Sequence, residues 1–322
     1  LPYVIEYISW YVPFLVFYEI LNIGMFYIRL DGSPNYAMMC NATAAILNIL
    51  LDYIFIFEFG WGMMGAAFAT SLGTVVGGLM TLVYLMHYSH DLRLYRIKLS
   101  RKSLRMTFRN IGYMVKLGNS AFVSEASIAC MMFLGNYVFI RNLGEDGVAA
   151  FSIVCYFFPI IFMVYNAIAQ SAQPIISYNF GAGQPERVRK ALRLSLRTAL
   201  ICGICFFILT TLCCRNIVAL FIDRSYSAFD IAVNGIPYFG IGFIFFAINM
   251  IGIGYYQSIE RGQRATIITL LRGVVFMLIG FFVLPPILGV PGIWLAVPSA
   301  ELLTTLYIIG IYFKDRFIVR RR

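Results

Sequence analysis

Charge is what this sequence has least of. Asp, Glu, Lys and Arg make up 12% of its 322 residues, about half the ~25% of an ordinary soluble domain. With 61% hydrophobic residues and a mean hydropathy of +0.81, the chain has too little polar surface to cover itself in water. That excludes the two soluble domains its length alone would suggest. Histidine is nearly missing: His87 and His90 sit together at the end of one apolar run, which leaves an intramembrane enzyme without a base at depth. The seven cysteines (40, 130, 155, 202, 205, 213 and 214) lie in apolar stretches without ligand spacing, and so read as small core residues, not as disulfides or a metal site. No long run alternates with period two, which argues against barrel strands. No basic segment or cleavage motif precedes the opening LPYVIEYISWYVPFLVFYEI, so it is not a signal peptide. A first residue Leu1 suggests that the chain begins inside a longer protein.

What the sequence does have is long apolar runs. A bilayer-crossing helix needs about 20 predominantly apolar residues, and nine stretches qualify: 8–28, 36–57, 64–87, 119–140, 148–170, 198–221, 232–255, 266–286 and 292–313. The fold class expected is an all-α polytopic membrane protein with about nine transmembrane helices. The 25 basic residues then orient it by the positive-inside rule. Arg29, the segment from Arg93 to Lys116, Arg187 to Arg197, Arg261 to Arg272 and the tail from Lys314 to Arg322 put 22 on one side; Arg141, Arg215 and Arg224 leave three on the other. The expectation is an N-terminus outside and a C-terminus in the cytoplasm, most simply in a bacterial inner membrane. The net charge of +10 becomes a topology marker, not a nucleic-acid footprint.

The longest polar stretch, residues 89–116, reads as a basic cytoplasmic connector with an amphipathic, lipid-surface helix. It divides the chain into residues 1–88 with three spans and residues 117–322 with six spans and a basic tail. Transporters are commonly built from two equal repeats, and a repeat is faintly visible. The third span opens Gly62-Met-Met-Gly65-Ala-Ala-Phe-Ala69 and the ninth Gly289-Val-Pro-Gly292-Ile-Trp-Leu-Ala296, both of the form G-x-x-G-x-x-x-A. If the two are equivalent, three helices are missing from the front.

Ionisable groups at membrane depth are costly, so each is a candidate for function. Four acids qualify: Glu19, Asp52, Glu125 and Glu301, against Arg272 as the one basic residue well inside a span. Some of the acids should therefore be protonated, open to water or paired with a cation the protein does not supply. Asp52 has the best company, with Asn48 four residues earlier on the same helix face and Thr70 on the next helix. Carboxylate, amide and hydroxyl oxygens suit sodium, and a lone desolvated carboxylate suits a proton. The alternative is that these groups simply join neighbouring helices. Glu125, in GNSAFVSEASIACMM, either faces a water-filled cavity or bonds to a neighbouring serine or helix. Glu301 is a lesser candidate of the same kind, and Glu19 could cap a kink near Pro13. In AIAQSAQPIISYNFGAGQPERVRKALR, Gln170 and Gln173 are candidates for lining a cavity or hinge. Pro174 should break or kink the helix, and Gly-Ala-Gly-Gln-Pro should make a tight turn.

The run NILLDYIFIFEFGWGMMGAAFATSLG from Asn48 to Gly73, the run QPIISYNFGAG from Gln173 to Gly183, and the glutamate in the span after the basic connector together resemble the multidrug and toxic compound extrusion (MATE) transporters. The likeness runs over essentially the whole chain. It implies a twelve-helix fold of two six-helix lobes, of which this chain matches the fourth helix onward, and antiport of drugs against sodium or protons by alternating access. Asn48, Asp52 and Thr70 match three members of an N-lobe ion site, whose remaining aspartate lies on a first helix with no counterpart here. Glu125 matches the acid of the seventh helix; the tenth, FAINMIGIGYYQSIERG, lacks the aspartate some members carry. No cofactor is implied beyond the coupling ion. The partners implied are the bilayer and small organic cations, not nucleic acid, with the full-length protein acting as a monomer. A lipid-linked sugar flippase of the same superfamily is the competing reading, but it would be expected to carry an arginine cluster where this chain has Arg272. An intramembrane enzyme comes third.

Overall fold

A computed structural model describes residues 2–90 and 100–320, with side chains described from Val4 to Lys314. The described residues form helices and short connections, with no strand. They divide into two compact units, Leu1–Ser100 and Arg101–Arg322.

In the first unit, α1 (Pro2–Tyr11) and α2 (Leu15–Leu30) form one span, interrupted by a 3₁₀ turn at Val12–Phe14 where Pro13 cannot donate to the preceding turn. No side chain caps the start of α2, and Glu19 lies exposed along it, so the expected role of Glu19 as a cap is not found. α3 (Pro34–Asp52) runs into a π turn, Tyr53–Glu58, and α4 (Gly62–Val83) into a second, Tyr84–Tyr88. Small residues bring α3 and α4 together. A Cβ on Gly73 would lie 2.6 Å from the Ala44 carbonyl and 3.3 Å from Asn48 Cβ, and one on Gly77 would lie 3.0 Å from Ala44 Cβ. Below them Leu21, Ile28, Ala37, Cys40, Ala44 and Tyr84 form the unit's core. At one end, buried Asp31 accepts from the Tyr84 hydroxyl at 2.9 Å and the His90 amide at 2.8 Å.

The second unit opens with α5 (Arg101–Gly181), two helical limbs meeting at Gly144, whose φ of 67° only glycine adopts cheaply. The first limb carries the basic stretch 101–116, mostly exposed, directly into the following span; residues 91–99 of the expected connector lie outside the described residues. α6 (Pro185–Leu212) follows, then α7 (Cys214–Ala219), α8 (Ser227–Gly240), α9 (Gly242–Ser258), α10 (Gly262–Leu270), a π turn at Leu271–Val275, α11 (Phe276–Leu288) and α12 (Val290–Arg320). The stretch 198–221 expected as one span is broken at Cys213 between α6 and α7. α8 and α9 are one span bent by 42°.

Among the described residues seven helices are long and apolar enough to cross a membrane, and the bent pair, taken as one span, makes an eighth. The long α5, two helices across Gly144, holds both of the stretches 119–140 and 148–170 read from hydropathy. The core of the second unit is aromatic. Trp294 meets Phe139 edge-on at 4.8 Å, Phe158 stacks on Phe246 at 5.2 Å, and the Tyr165 hydroxyl reaches the Phe243 carbonyl at 3.0 Å.

The G-x-x-G-x-x-x-A repeat has a structural counterpart in each unit. Gly62 (φ 55°) and Gly289 (φ 64°) both make the turn into a span. Gly65 and Gly292 both lie where a Cβ would crowd the preceding span, at Phe55 and at Leu284 respectively. Ala69 and Ala296 are both fully buried. The same three small residues thus fix the same helix-to-helix approach twice.

Candidate functional site

The close approach of α3 and α4 at Gly73 sets the geometry one turn away. Asn48 Nδ2 donates to Thr70 Oγ1 at 3.2 Å, and Thr70 Oγ1 donates to the Ala66 carbonyl at 2.9 Å. The helix-joining alternative therefore holds for Asn48 and Thr70. Asp52, half-buried at the end of α3, also interacts with the Asn48 side chain, while its Oδ1 is enclosed with no hydrogen-bond partner. A buried polar atom without a partner is rare and calls for an explanation. The π turn begins at the next residue, Tyr53, and such turns often occur at functional positions. Within it Phe55 stacks on Trp61 at 5.1 Å and tilts against Phe68 at 5.6 Å, while Trp10 meets Phe68 edge-on at 6.0 Å. Phe55, three residues after Asp52, thus belongs to an aromatic cluster in which Trp10 and Trp61 are each 40% exposed.

Glu125 projects from the first limb of α5 and is exposed, whereas Ser124 and Ser127 on either side of it are buried. Ser127 Oγ accepts from Arg272 Nη2 at 3.2 Å, and the charge of Arg272 also acts on Glu125.

Glu301 is 5% exposed and is bonded to neighbouring helices, the second of the two readings open for it. Its Oε1 lies 3.7 Å from Arg272 Nη1, and its Oε2 accepts from Asn249 Nδ2 at 2.7 Å. Arg272, counted above among juxtamembrane basic residues, is 4% exposed inside the unit. The protein does supply a cation for this acid, because α12 and the π turn before α11 face each other across the core. The arrangement, including Asn249 and Thr305, was not legible in the sequence, since Asn249, Arg272 and Glu301 are 23 to 52 positions apart with no motif and only Thr305 lies within a helical turn of Glu301. A polar residue in an apolar run was the only signal.

Gln173 Nε2 donates to Gln257 Oε1 at 2.7 Å, and Gln257 Nε2 donates to Ser120 Oγ at 2.8 Å. This relay ties both limbs of α5 to α9, and Gly254, whose Cβ would lie 3.3 Å from Ala169 Cβ, permits the approach. Gln170 is half-buried on the same limb, a turn earlier. Of the break or kink expected at Pro174, the break is absent: helix continues through it to Gly181. Proline is tolerated at membrane depth where side chains or neighbouring helices satisfy the freed carbonyls. The tight turn after it is present. Gln184 N bonds to the Asn179 carbonyl at 2.9 Å, Gly183 has a φ of 66°, and Pro185 starts α6.

Described residues that are helical throughout, with this many apolar spans, a paired small-residue repeat and a carboxylate oxygen left without a partner at membrane depth, have the features of a multi-pass membrane transporter. The family profile MatE matches residues 120–289, more than half of the chain, and the protein belongs to that family. Among curated proteins it is 26% identical over 318 residues to the multidrug export protein MepA of Staphylococcus aureus (strain bovine RF122 / ET3-1), covering 95% of this chain and 66% of MepA. It is 25% identical over 315 residues to MepA of Staphylococcus saprophyticus, with the same coverage. The chain thus spans just under two thirds of the length of these relatives. Among solved structures it resembles the outward-facing conformation of a multidrug resistance MATE family transporter (TM-score 0.87, 22% identity, 99% of this chain and 70% of that one). It also resembles a MATE structure in the straight conformation (TM-score 0.88, 21% identity, 99% and 71%).

Proposed function

We propose that the protein exports organic cations, including drugs, in exchange for sodium or protons entering through the Asp52 site, by alternating access of its two lobes. The observation that carries this reading is the enclosed, partnerless Oδ1 of Asp52 beside the Asn48–Thr70 hydrogen bond. With Asn48 Nδ2 committed to Thr70, the amide meets an ion through its oxygen. Asp52 contributes the charge and Thr70 a hydroxyl oxygen, a donor set suited to a hard monovalent cation. Proton and sodium compete for the same carboxylate, so either loads the site. An exposed Glu125 in the second unit provides a further negative charge for an incoming cation, and the aromatic faces of the Phe55 cluster provide cation–π contact for flat organic substrates. The names of the MepA relatives support the substrate class.

The test is ethidium or norfloxacin efflux from cells expressing the protein, with and without an imposed sodium gradient. Asp52→Asn should abolish gradient-driven efflux and Glu125→Gln should reduce it. Unchanged efflux in both variants would show that these acids do not couple export to cation entry.

A further inference from the structure

The proposed export leaves one buried charged group of the second unit without a role. Arg272 is enclosed by groups that each recognise an organic cation. The face of Phe246 lies 4.8 Å from its guanidinium carbon, Met250 Sδ lies 3.5 Å from Nη1, Ser127 Oγ lies 3.2 Å from Nη2, and Glu301 Oε1 lies 3.7 Å from Nη1. Aromatic face, thioether, hydroxyl and carboxylate form the lining a receptor presents to a planar monovalent cation.

This lining is held largely by residues that do not touch Arg272. Asn249 Nδ2 donates to Glu301 Oε2 at 2.7 Å and lies 2.8 Å from its backbone carbonyl, which fixes the carboxylate so that Oε1 is aimed at the guanidinium. Thr305 Oγ1 in turn donates to Asn249 Oδ1 at 2.9 Å, which sets the orientation of the amide. The π turn at Leu271–Val275 delivers the arginine, and Gly273 removes the side chain that would collide with Ser127. The guanidinium fits the lining loosely. Its Nε is buried without a partner, and the ion-pair separation is longer than that of a two-pronged arginine–carboxylate bond.

We propose that Phe246, Met250, Ser127 and Glu301 form an organic-cation site in the second unit, kept filled by the chain's own Arg272. The arginine is a tethered ligand: it neutralises Glu301 permanently, so that no cation from outside is needed there. Traffic in free cations is left to other acids, of which Glu125 is exposed in the same unit. The proposal concerns binding alone and stands whether or not Asp52 couples export.

Chemical rescue tests it. The Arg272→Ala variant should lose thermal stability in detergent and regain at least half of the loss on addition of millimolar methylguanidinium. Tetramethylammonium, which is not planar, should rescue less, and sodium least. Neither the unsubstituted protein nor Arg272→Ala/Glu301→Ala should respond. If Arg272→Ala is too unstable to isolate, it is purified with methylguanidinium present from lysis onward. Recovery of folded protein under that condition alone supports the site, and recovery in neither condition overturns it. A stable Arg272→Ala variant that is indifferent to methylguanidinium, or a response of equal size in the double variant, also overturns it.

Discussion

Removing one partner of the Arg272–Glu301 pair should cost far more than removing both. At the observed 3.7 Å, two unit charges in an effective dielectric of 20 attract by about 4 kcal/mol, and both side chains are almost wholly withdrawn from solvent. Glu301→Gln leaves an uncompensated guanidinium, with a Phe246 ring and a Met250 sulfur as its remaining neighbours besides Ser127. Arg272→Met leaves an uncompensated carboxylate. Each single change should destabilise the protein by about 3–5 kcal/mol. The double variant Arg272→Met/Glu301→Gln keeps the volume, and a glutamine oxygen can still accept from Asn249. It should lose much less than the two single losses combined, with a coupling energy of about 3 kcal/mol. Denaturant unfolding of the purified chain supplies the assay. Trp294 is 1% exposed in the same unit, so its emission reports this core, and Trp10→Phe/Trp61→Phe removes the signal of the first unit. Single losses that add to within about 0.5 kcal/mol in the double variant would refute the claim that the two charges depend on each other.

Three further outcomes follow from packing and turn geometry. A Cβ at Gly235 would fall within the indole of Trp294, which is backed by Phe139; Gly235→Ala should cost about 1–3 kcal/mol and shift the Trp294 emission. Glu260 is the one non-glycine residue at positive φ among those described, at 60°, in the turn between α9 and α10, so Glu260→Gly should raise the unfolding midpoint by the equivalent of about 1 kcal/mol. Asp223, in the exposed turn before α8, accepts from the Ser225 amide and hydroxyl, both at 2.9 Å, and these bonds hold its carboxyl below the ordinary carboxylate value. Because its folded value is the lower one, the turn's added stability is present above the ordinary carboxylate value and is lost as pH falls through the depressed one. Exchange protection of the Ser225 amide, corrected for intrinsic rate, should therefore fall away below about pH 4 and be independent of pH in Asp223→Asn.

Local physics made part of this protein legible in advance. Apolar length located the long helices among the described residues, because each helix must satisfy its own backbone in lipid, and the four-residue spacing of Asn48 and Asp52 placed both on one face of α3. The two G-x-x-G-x-x-x-A runs were readable because glycine is needed both at positive φ and where helices approach closely. Other features depended on distant residues. Nothing near Arg272 in sequence names Glu301 as its partner, and the pairing exists because α9, the π turn and α12 converge on the core of the second unit. Pro174 looked like a break because proline removes a donor, yet the helix around it persists, since the surrounding structure sets the backbone there. The break at Cys213 had the opposite cause: an apolar run carries no sign of a helix end when neither glycine nor proline marks it.

The central claim is that Asp52 couples cation entry to export, and counter-flux in proteoliposomes tests it most directly. With the purified protein reconstituted and loaded with ethidium, dye movement should be accompanied by sodium or proton movement in the opposite direction. In Asp52→Asn both fluxes should fall together. An Asp52→Asn protein that moves the same amount of cation per dye molecule as the unsubstituted protein would contradict the account.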